Sequence, residues 1–314
     1  MSFSKKVKDE LFDRYPAARH CMLAELAAMT LGCGTVTFEG DRVQELEICT
    51  ENKALARKYF TLLQKIFNIV DVEIRERKPN ARAKGNAYSI ILRKEDGVER
   101  IGRALKLEHA ASGGNEFYVN PLIAQNTCCK RAYIRGGFLA GGSLSDPKKA
   151  YHFEVVFSAP EKAEQMKQIF QSFSIEAKVI RRKKYFVLYV KEGAQIVDLL
   201  NIMEAHLALM ELENVRILKE VRNDVNRQVN CEAANITKTV KAAAKQLEDI
   251  RYIRDSIGFE KLPEGLCEIA KLRMEYPEAS LKELGEMLSV PLGKSGVNHR
   301  LKRLGEIAKS GKAM

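Results

Sequence analysis

The chain has 314 residues, enough for two or three domains, each with its own core. Hydrophobic residues make up 46% and charged residues 30%, which excludes a disordered tail, while a formal net charge of +11 favours a polyanionic partner: DNA, RNA or an acidic membrane face. No run of 18 apolar residues occurs and the start, MSFSKKVKDELFDRY, has no apolar signal region, so neither a membrane-spanning helix nor a secretory leader is expected.

Residues 17–32 (AARHCMLAELAAMTLG), followed by Cys33, read as a helix that Gly34 ends. TVTFE (35–39) and VQELEICT (43–50) have strand composition around a Gly-Asp turn. NKALARKYFTLLQKIF (52–67) is amphipathic, with Leu55, Tyr59, Leu62, Leu63 and Ile66 on one helical face. VDVEIRER (70–77) and AYSIILR (87–93) are further strands, and VERIGRALKL (98–107) is a short helix. The same order then recurs: a helix over 127–141 ended by Gly142, strands over 143–145 and 151–158, a helix over 160–173 with Pro160 in its first turn, a hairpin over 176–182 and 184–191, and a helix over 194–203. Gly34 and Gly142 are 108 positions apart, as are Asn52 and Pro160, which indicates duplication.

Residues 221–256 read as one or two helices with alanine-rich turns, and an all-helical segment follows from Ile257. There, 262–277 is a helix stopped by Pro277. Ser280 and Glu283 form a capping box for the helix 281–288, which places Leu281, Leu284 and Leu288 on one face. Gly285 lets the next helix cross closely, and SVPLG (289–293) breaks the chain. In the last helix, 294–308, Val297, Leu301, Leu304 and Ala308 form a buried stripe, and the opposite face carries Ser295, Asn298, His299, Lys302 and Arg303. Residues 258–293 have a net charge of −3 and residues 294–314 one of +5, so the last helix and its tail alone are basic. This is the pattern of a helix-turn-helix whose last helix reads double-stranded DNA, with Lys294, Ser295, Asn298, His299, Arg300, Lys302 and Arg303 as the candidate contacts. Arg300 points between the two faces and serves either packing or phosphate. The plain alternative is a three-helix module with a solvated basic face.

The seven cysteines, Cys21, Cys33, Cys49, Cys128, Cys129, Cys231 and Cys267, are odd in number and without repeated spacing. That argues against a disulfide framework and for free thiols in a reducing cytoplasm. Without a CxxC pair and with scattered histidines, no structural zinc is expected, and no cofactor or metal is assigned. The absence of Trp and the 7% aromatic content weaken any reading built on base stacking.

LAAMTLGCG (26–34) resembles a worn LAGLIDADG helix, and the duplicated αββαββα order resembles the homing-endonuclease domain. The second copy, RGGFLAGGSLSDP (135–147), together with NRQVNCEAANITKTVKAAAKQ (226–246) and a helix-turn-helix similar to sigma region 4, resembles the WhiA family of bacterial regulators along essentially the whole chain. The fold expected is therefore α+β: a duplicated LAGLIDADG-like domain with halves at 1–110 and 111–215, a helical linker at 216–257, and an all-α helix-turn-helix domain at 258–314. LAGLIDADG chemistry needs a carboxylate at the base of each central helix to hold divalent metal. Those positions fall on Cys33 and Gly141, neither a hard oxygen ligand. Reading LAGGSLSD literally would put Asp146 there, but that breaks the 108-residue offset and runs the helix through Gly141 and Gly142. The small residues Ala27, Ala28, Gly136, Gly137 and Ala140 are expected to let the two helices meet closely.

The resemblance also implies a saddle-shaped sheet over a duplex, for which Arg75, Arg77, Lys78, Arg82, Lys84, Arg181, Arg182, Lys183 and Lys184 are candidate cations; a solvated hairpin surface explains them equally well. What the resemblance implies for function is a non-enzymatic, cytoplasmic, nucleoid-associated DNA-binding regulator of cell division, chromosome segregation and, in spore-formers, sporulation genes, with protein partners in transcription or division. Its rivals are an active DNA endonuclease and a basic nucleic-acid or protein scaffold.

Overall fold

The computed structural model describes residues 2–69, 72–77, 86–109 and 116–312, which form two compact units, Met1–Lys219 and Glu220–Met314. The first opens with α1 (Phe3–Phe12), capped by the Ser2 hydroxyl. Composition hides this helix behind its charges, yet Phe3, Val7, Leu11 and Phe12 recur at helical spacing and are all buried. Then follow α2 (Arg19–Cys33), β1 (Gly34–Glu39), β2 (Arg42–Thr50), α3 (Lys53–Phe67), β3 (Glu73–Arg77), β4 (Ala87–Leu92) and α4 (Val98–Ala104). A small hairpin, β5 (Leu107–His109) with β6 (Phe117–Val119), separates this copy from the second. The second copy is α5 (Thr127–Gly141), β7 (Gly142–Leu144), β8 (Phe153–Phe157), α6 (Pro160–Gln171), β9 (Lys178–Arg182), β10 (Tyr185–Val190) and α7 (Gly193–Met203).

Both copies form four-stranded antiparallel sheets of one topology, β1-β2-β4-β3 and β7-β8-β10-β9. The helices α2 and α5 and the strands after them keep the 108-residue offset. By α3 and α6 the offset is 107, so pairing Asn52 with Pro160 matches a cap to a first helical residue. The residue lost lies between these landmarks, and the β1–β2 register shifts there, between Thr37 and Phe38.

Helices α2 and α5 are buried around nearly their whole circumference, from Ala24 to Leu31 and from Ala132 to Leu139. A helix without a polar face belongs at the centre of a core, and both lack one. They meet at positions related by the duplication. A Cβ on Gly136 would lie 2.3 Å from the Glu25 carbonyl oxygen and 3.1 Å from the Ala28 Cβ, and one on Gly32 would lie 2.6 Å from the Ala140 Cβ. Gly137, expected at this contact, faces α6 instead: its Cβ would meet the Met166 methyl at 2.4 Å.

Beside that contact lies a buried ion cluster without counterpart in the duplication. Glu25 accepts from the Arg135 guanidinium at 3.0 and 3.1 Å and pairs with the Lys58 ammonium at 2.9 Å, all three side chains at most 3% exposed. Arg135 also reaches Glu204 at 3.0 Å, and Lys58 donates to the Leu11 carbonyl at 2.7 Å and to that of Arg14. Burial lowers the Lys58 pKa despite the carboxylate beside it.

One uninterrupted helix, α8 (His206–Ser256), occupies the linker region; its sequence contains no Gly or Pro to break it. In the second unit, residues 220–242 of α8 are exposed on all sides, whereas Ile250 and Ile253 join the core of the terminal helices. These are α9 (Glu264–Glu275), α10 (Leu281–Glu286) and α11 (Lys294–Lys312). No described helix is long and apolar enough to cross a membrane.

Candidate nucleic-acid interface and the acid positions

The second unit is built to hold α11. Ser280 accepts from the Glu283 N–H at 3.3 Å while Glu283 accepts from the Ser280 N–H at 2.7 Å, and that reciprocal box starts α10. These bonds, the Ser280 backbone first, hold the Glu283 carboxyl below its ordinary pKa. Gly285 is required by close approach: a Cβ there would lie 2.1 Å from the Leu292 carbonyl oxygen and 3.1 Å from Val297. Val297, Leu301, Leu304 and Ala308 are buried as the periodicity requires.

Three residues position this unit: Arg273 and Glu268 were not evident from sequence, and for Arg300 only the partner was hidden, because each acts on a backbone group brought close only by the fold. Arg273 donates to the carbonyls of Pro277 and Ala279 at 3.3 and 2.6 Å and to Gln246 at 3.0 and 3.1 Å, fixing the turn before α10 against α8. Glu268 accepts from the Ser289 N–H at 2.6 Å, a bond that lowers its pKa and pins the segment leading to α11. Arg300 donates to the Gly265 carbonyl at 3.1 Å, tying α11 to the first turn of α9, so of its two readings the packing one has a bonded partner.

Lys294, Ser295, His299, Lys302 and Arg303 are exposed and Asn298 is half-buried. Arg303 pairs with Glu306 at 2.8 Å, both about three-fifths exposed. Such a surface pair is worth roughly 0–1 kcal/mol and opens readily. The outer face of α11 thus offers short polar groups in its first turns and cations beyond them.

In the first unit the candidate cations divide. Lys78, Arg82 and Lys84 lie outside the described residues, as does the side chain of Arg77. Arg75 is exposed but bonded to Glu73, and its sheet face also carries Glu45 and Glu47. Arg93 bridges Glu45, at 3.0 Å, and Glu73, so this face holds paired charge rather than a cationic surface. Arg181, Arg182, Lys183 and Lys184 are exposed around the β9–β10 turn, where Lys183 takes a left-handed φ of 57°. Strand alternation puts Arg182 on the face shared with Lys178 and turns Arg181 to the other.

Two helix ends occupy the metal positions of the LAGLIDADG pattern. Cys33 closes α2, its thiol donating to the Met29 carbonyl at 3.1 Å; burial, then nearby Cys49, push its pKa up to about 12. Gly141 closes α5 so near β8 that a Cβ would lie 2.7 Å from the Val156 carbonyl oxygen. The buried Lys162 ammonium donates to the Leu31 carbonyl at 3.3 Å and sits 4.2 Å over the Phe117 ring. A cation two residues from Cys33 is the reverse of a metal-holding carboxylate. Asp146 lies exposed in the turn after β7, capping the Lys148 N–H at 2.9 Å.

The molecule is therefore a duplicated LAGLIDADG-like fold without its carboxylate pair, joined in one chain to a helix-turn-helix unit. Residues 19–108 match the WhiA N-terminal LAGLIDADG-like domain, 130–222 the WhiA LAGLIDADG-like domain and 225–308 the WhiA C-terminal HTH domain. The chain is 57% identical over 309 residues to the probable cell division protein WhiA of Lachnoclostridium phytofermentans, with 98% of each chain covered. It is 50% identical over 312 residues to that of Alkaliphilus oremlandii, covering 98% of this chain and 97% of the relative. The crystal structure of full-length WhiA from Thermotoga maritima superposes with a TM-score of 0.60 at 25% identity, over 99% of both chains. The chain belongs to the WhiA family.

Proposed function

We propose that this protein is a non-catalytic regulator of cell division that binds double-stranded DNA through α11, with Ser295, Asn298 and His299 toward base edges and Lys294, Lys302 and Arg303 toward phosphates. The observation that carries this reading is the segregation on α11: a fully buried apolar stripe on one side, and exposed cations with short polar groups on the other, in the one basic segment of an otherwise acidic helical module. The curated relatives bear the name of a cell division protein, which supplies the biological setting. Residues 258–314 act as the reading domain, 216–257 as the helical linker, and 1–110 with 111–215 as a structural platform. The site of action is the nucleoid in the cytoplasm, and control extends to chromosome segregation and, where the host forms spores, to sporulation genes, with protein partners in transcription or division.

The test compares mobility shifts of the full chain, residues 216–314 and residues 1–215. Binding by the first two supports the assignment. Tight binding by residues 1–215 alone would make the Arg181–Lys184 hairpin the reader. The non-catalytic part is checked by incubating supercoiled plasmid with the protein and magnesium or manganese: plasmid stays intact, whereas metal-dependent nicking lost in Asp146→Ala would restore the literal register.

A further inference from the structure

At the N-terminal end of the central helix pair, opposite the end that held metal in the LAGLIDADG pattern, the duplication brings two dipeptides together. His20 and Cys21 lie in the first turn of α2, and Cys128 and Cys129, 108 positions on, in the first turn of α5. His20 Nδ1 stands 3.1 Å from the Cys129 Sγ and 3.3 Å from the Cys21 Sγ, and the four potential ligand atoms all fall within 4.8 Å of one another. We propose that these four residues form a structural zinc site, Cys3His, that clamps the N-termini of α2 and α5.

The donor chemistry selects the ion. Three thiolates and one imidazole suit zinc, and no carboxylate is among them to favour magnesium or calcium. Zinc holds sulfur at about 2.3 Å and imidazole nitrogen at about 2.0–2.1 Å, so tetrahedral donors sit about 3.5–3.8 Å apart. The observed spacings bracket that range, and small rotamer changes close the set. Four protein donors leave no open coordination position, which is the character of a structural rather than a catalytic site. Burial suits entry of the ion: Cys21 and Cys129 are 7% and 3% exposed and stand on the core side, whereas His20 and Cys128 are exposed and close from solvent. Burial raises the thiol pKa of Cys21 and of Cys129, so the ion itself must draw off their protons, and the positive ends of the two helix dipoles favour the thiolates once formed. Binding releases three thiol protons, and His20 ligates as neutral imidazole through Nδ1 with its proton on Nε2. The resulting net charge of the centre, −1, sits beside Arg19 and Lys130 in the sequence.

Sequence spacing argued against zinc because neither pair is a CxxC. The ligands are adjacent dipeptides, and only the pseudo-symmetric packing of α2 on α5 unites them. Ligand pairs that far apart join the two copies directly, so the ion fixes the same contact that Ala28, Gly136, Gly32 and Ala140 make further along.

The test uses the full chain, purified under reducing conditions and analysed for metal, then stripped and titrated with Co2+. The expected result is stoichiometric zinc, and on titration the thiolate-to-cobalt charge-transfer band with the intense visible absorption of tetrahedral coordination. The exposed ligands provide variants that leave the core intact: Cys128→Ser and His20→Asn weaken cobalt binding by more than about tenfold, with circular dichroism unchanged, while Cys231→Ser leaves it as in the parent. Absence of the charge-transfer band in the reduced parent overturns the proposal. So does its persistence when both Cys21→Ser and Cys128→Ser are present. A disulfide among Cys21, Cys128 and Cys129, trapped by alkylation in unreduced cell extract, overturns it as well.

Discussion

The central pair α2 and α5 and the terminal helix α11 use their surfaces in opposite ways. From Ala24 to Leu31 and from Ala132 to Leu139 the central helices are enclosed on all sides; Thr30, Arg135 and one Glu25 oxygen are hydrogen-bonded within the protein, and the other Glu25 oxygen is held by its ion pair with Lys58. By contrast α11 encloses the stripe Val297, Leu301, Leu304 and Ala308 and leaves Lys294, Lys302 and Arg303 in solvent. In a LAGLIDADG fold the central pair is where substrate chemistry is expected; here its metal positions hold a thiol bonded to its own helix and a glycine wedged against a strand. The difference teaches that retention of a fold and retention of its site are separable.

If the central pair serves only structure, damage to its ion cluster must register as lost stability, and this is the largest effect expected. Glu25→Ala leaves Lys58 and Arg135 buried without their common counter-charge. Removing one partner of a buried pair costs about 3–5 kcal/mol. Urea denaturation of the first unit should show that loss, and a change below about 1 kcal/mol would mean the two cations find other partners or water.

The helix contact sharpens the same side of the comparison. Gly136→Leu must push against the Glu25 carbonyl, which is backbone and cannot yield, so roughly 1–3 kcal/mol or more is expected. Gly137→Leu meets the end of a flexible methionine, Met166, and should cost less. Equal melting temperatures for the two variants would show that the α2–α5 contact does not run through Gly136.

How much of this was legible in the sequence depended on whether a signal was local. The duplication and the second unit were legible because glycine stops, a proline start, a capping box and helical periodicity are all written within a few residues. The helix boundaries of α5 coincide with the segment read as 127–141. The helix α1 was not, because its apolar positions are outnumbered by lysines and acids over ten residues. The Glu25 cluster was also hidden: its members come from positions 25, 58, 135 and 204, and nothing in spacing joins them. The same holds for the His20–Cys129 cluster and for Arg300, whose partner is a backbone carbonyl 35 residues away.

On the α11 side, Asn298→Ala should weaken binding at a specific DNA site by roughly 1–3 kcal/mol and relax preference at one base position. Measured by fluorescence anisotropy on matched and single-mismatch duplexes, the loss should be greatest on the matched one. A loss equal on every duplex would place Asn298 on the backbone and not on a base.

The smallest effect separates two cations that the sequence placed together. Lys302 is exposed, whereas Arg300 donates to the Gly265 carbonyl and packs against that glycine. Neutralising a phosphate contact releases one fewer counterion, so Lys302→Ala should lower the slope of log K against log salt by about 0.9 on duplex DNA, alike for all sequences, and leave the melting temperature of residues 216–314 unchanged. Arg300→Ala should do the reverse: it frees a carbonyl in the first turn of α9 and removes the tie to α11, lowering melting temperature while the salt slope stays near the parent value. Affinity would still fall in Arg300→Ala if α11 shifts, which is why the slope, and not the affinity, is the quantity to read. If instead Arg300→Ala reduces the slope and Lys302→Ala does not, the guanidinium leaves Gly265 for a phosphate on binding, and the solvent-exposed face of α11 is not the surface that meets DNA.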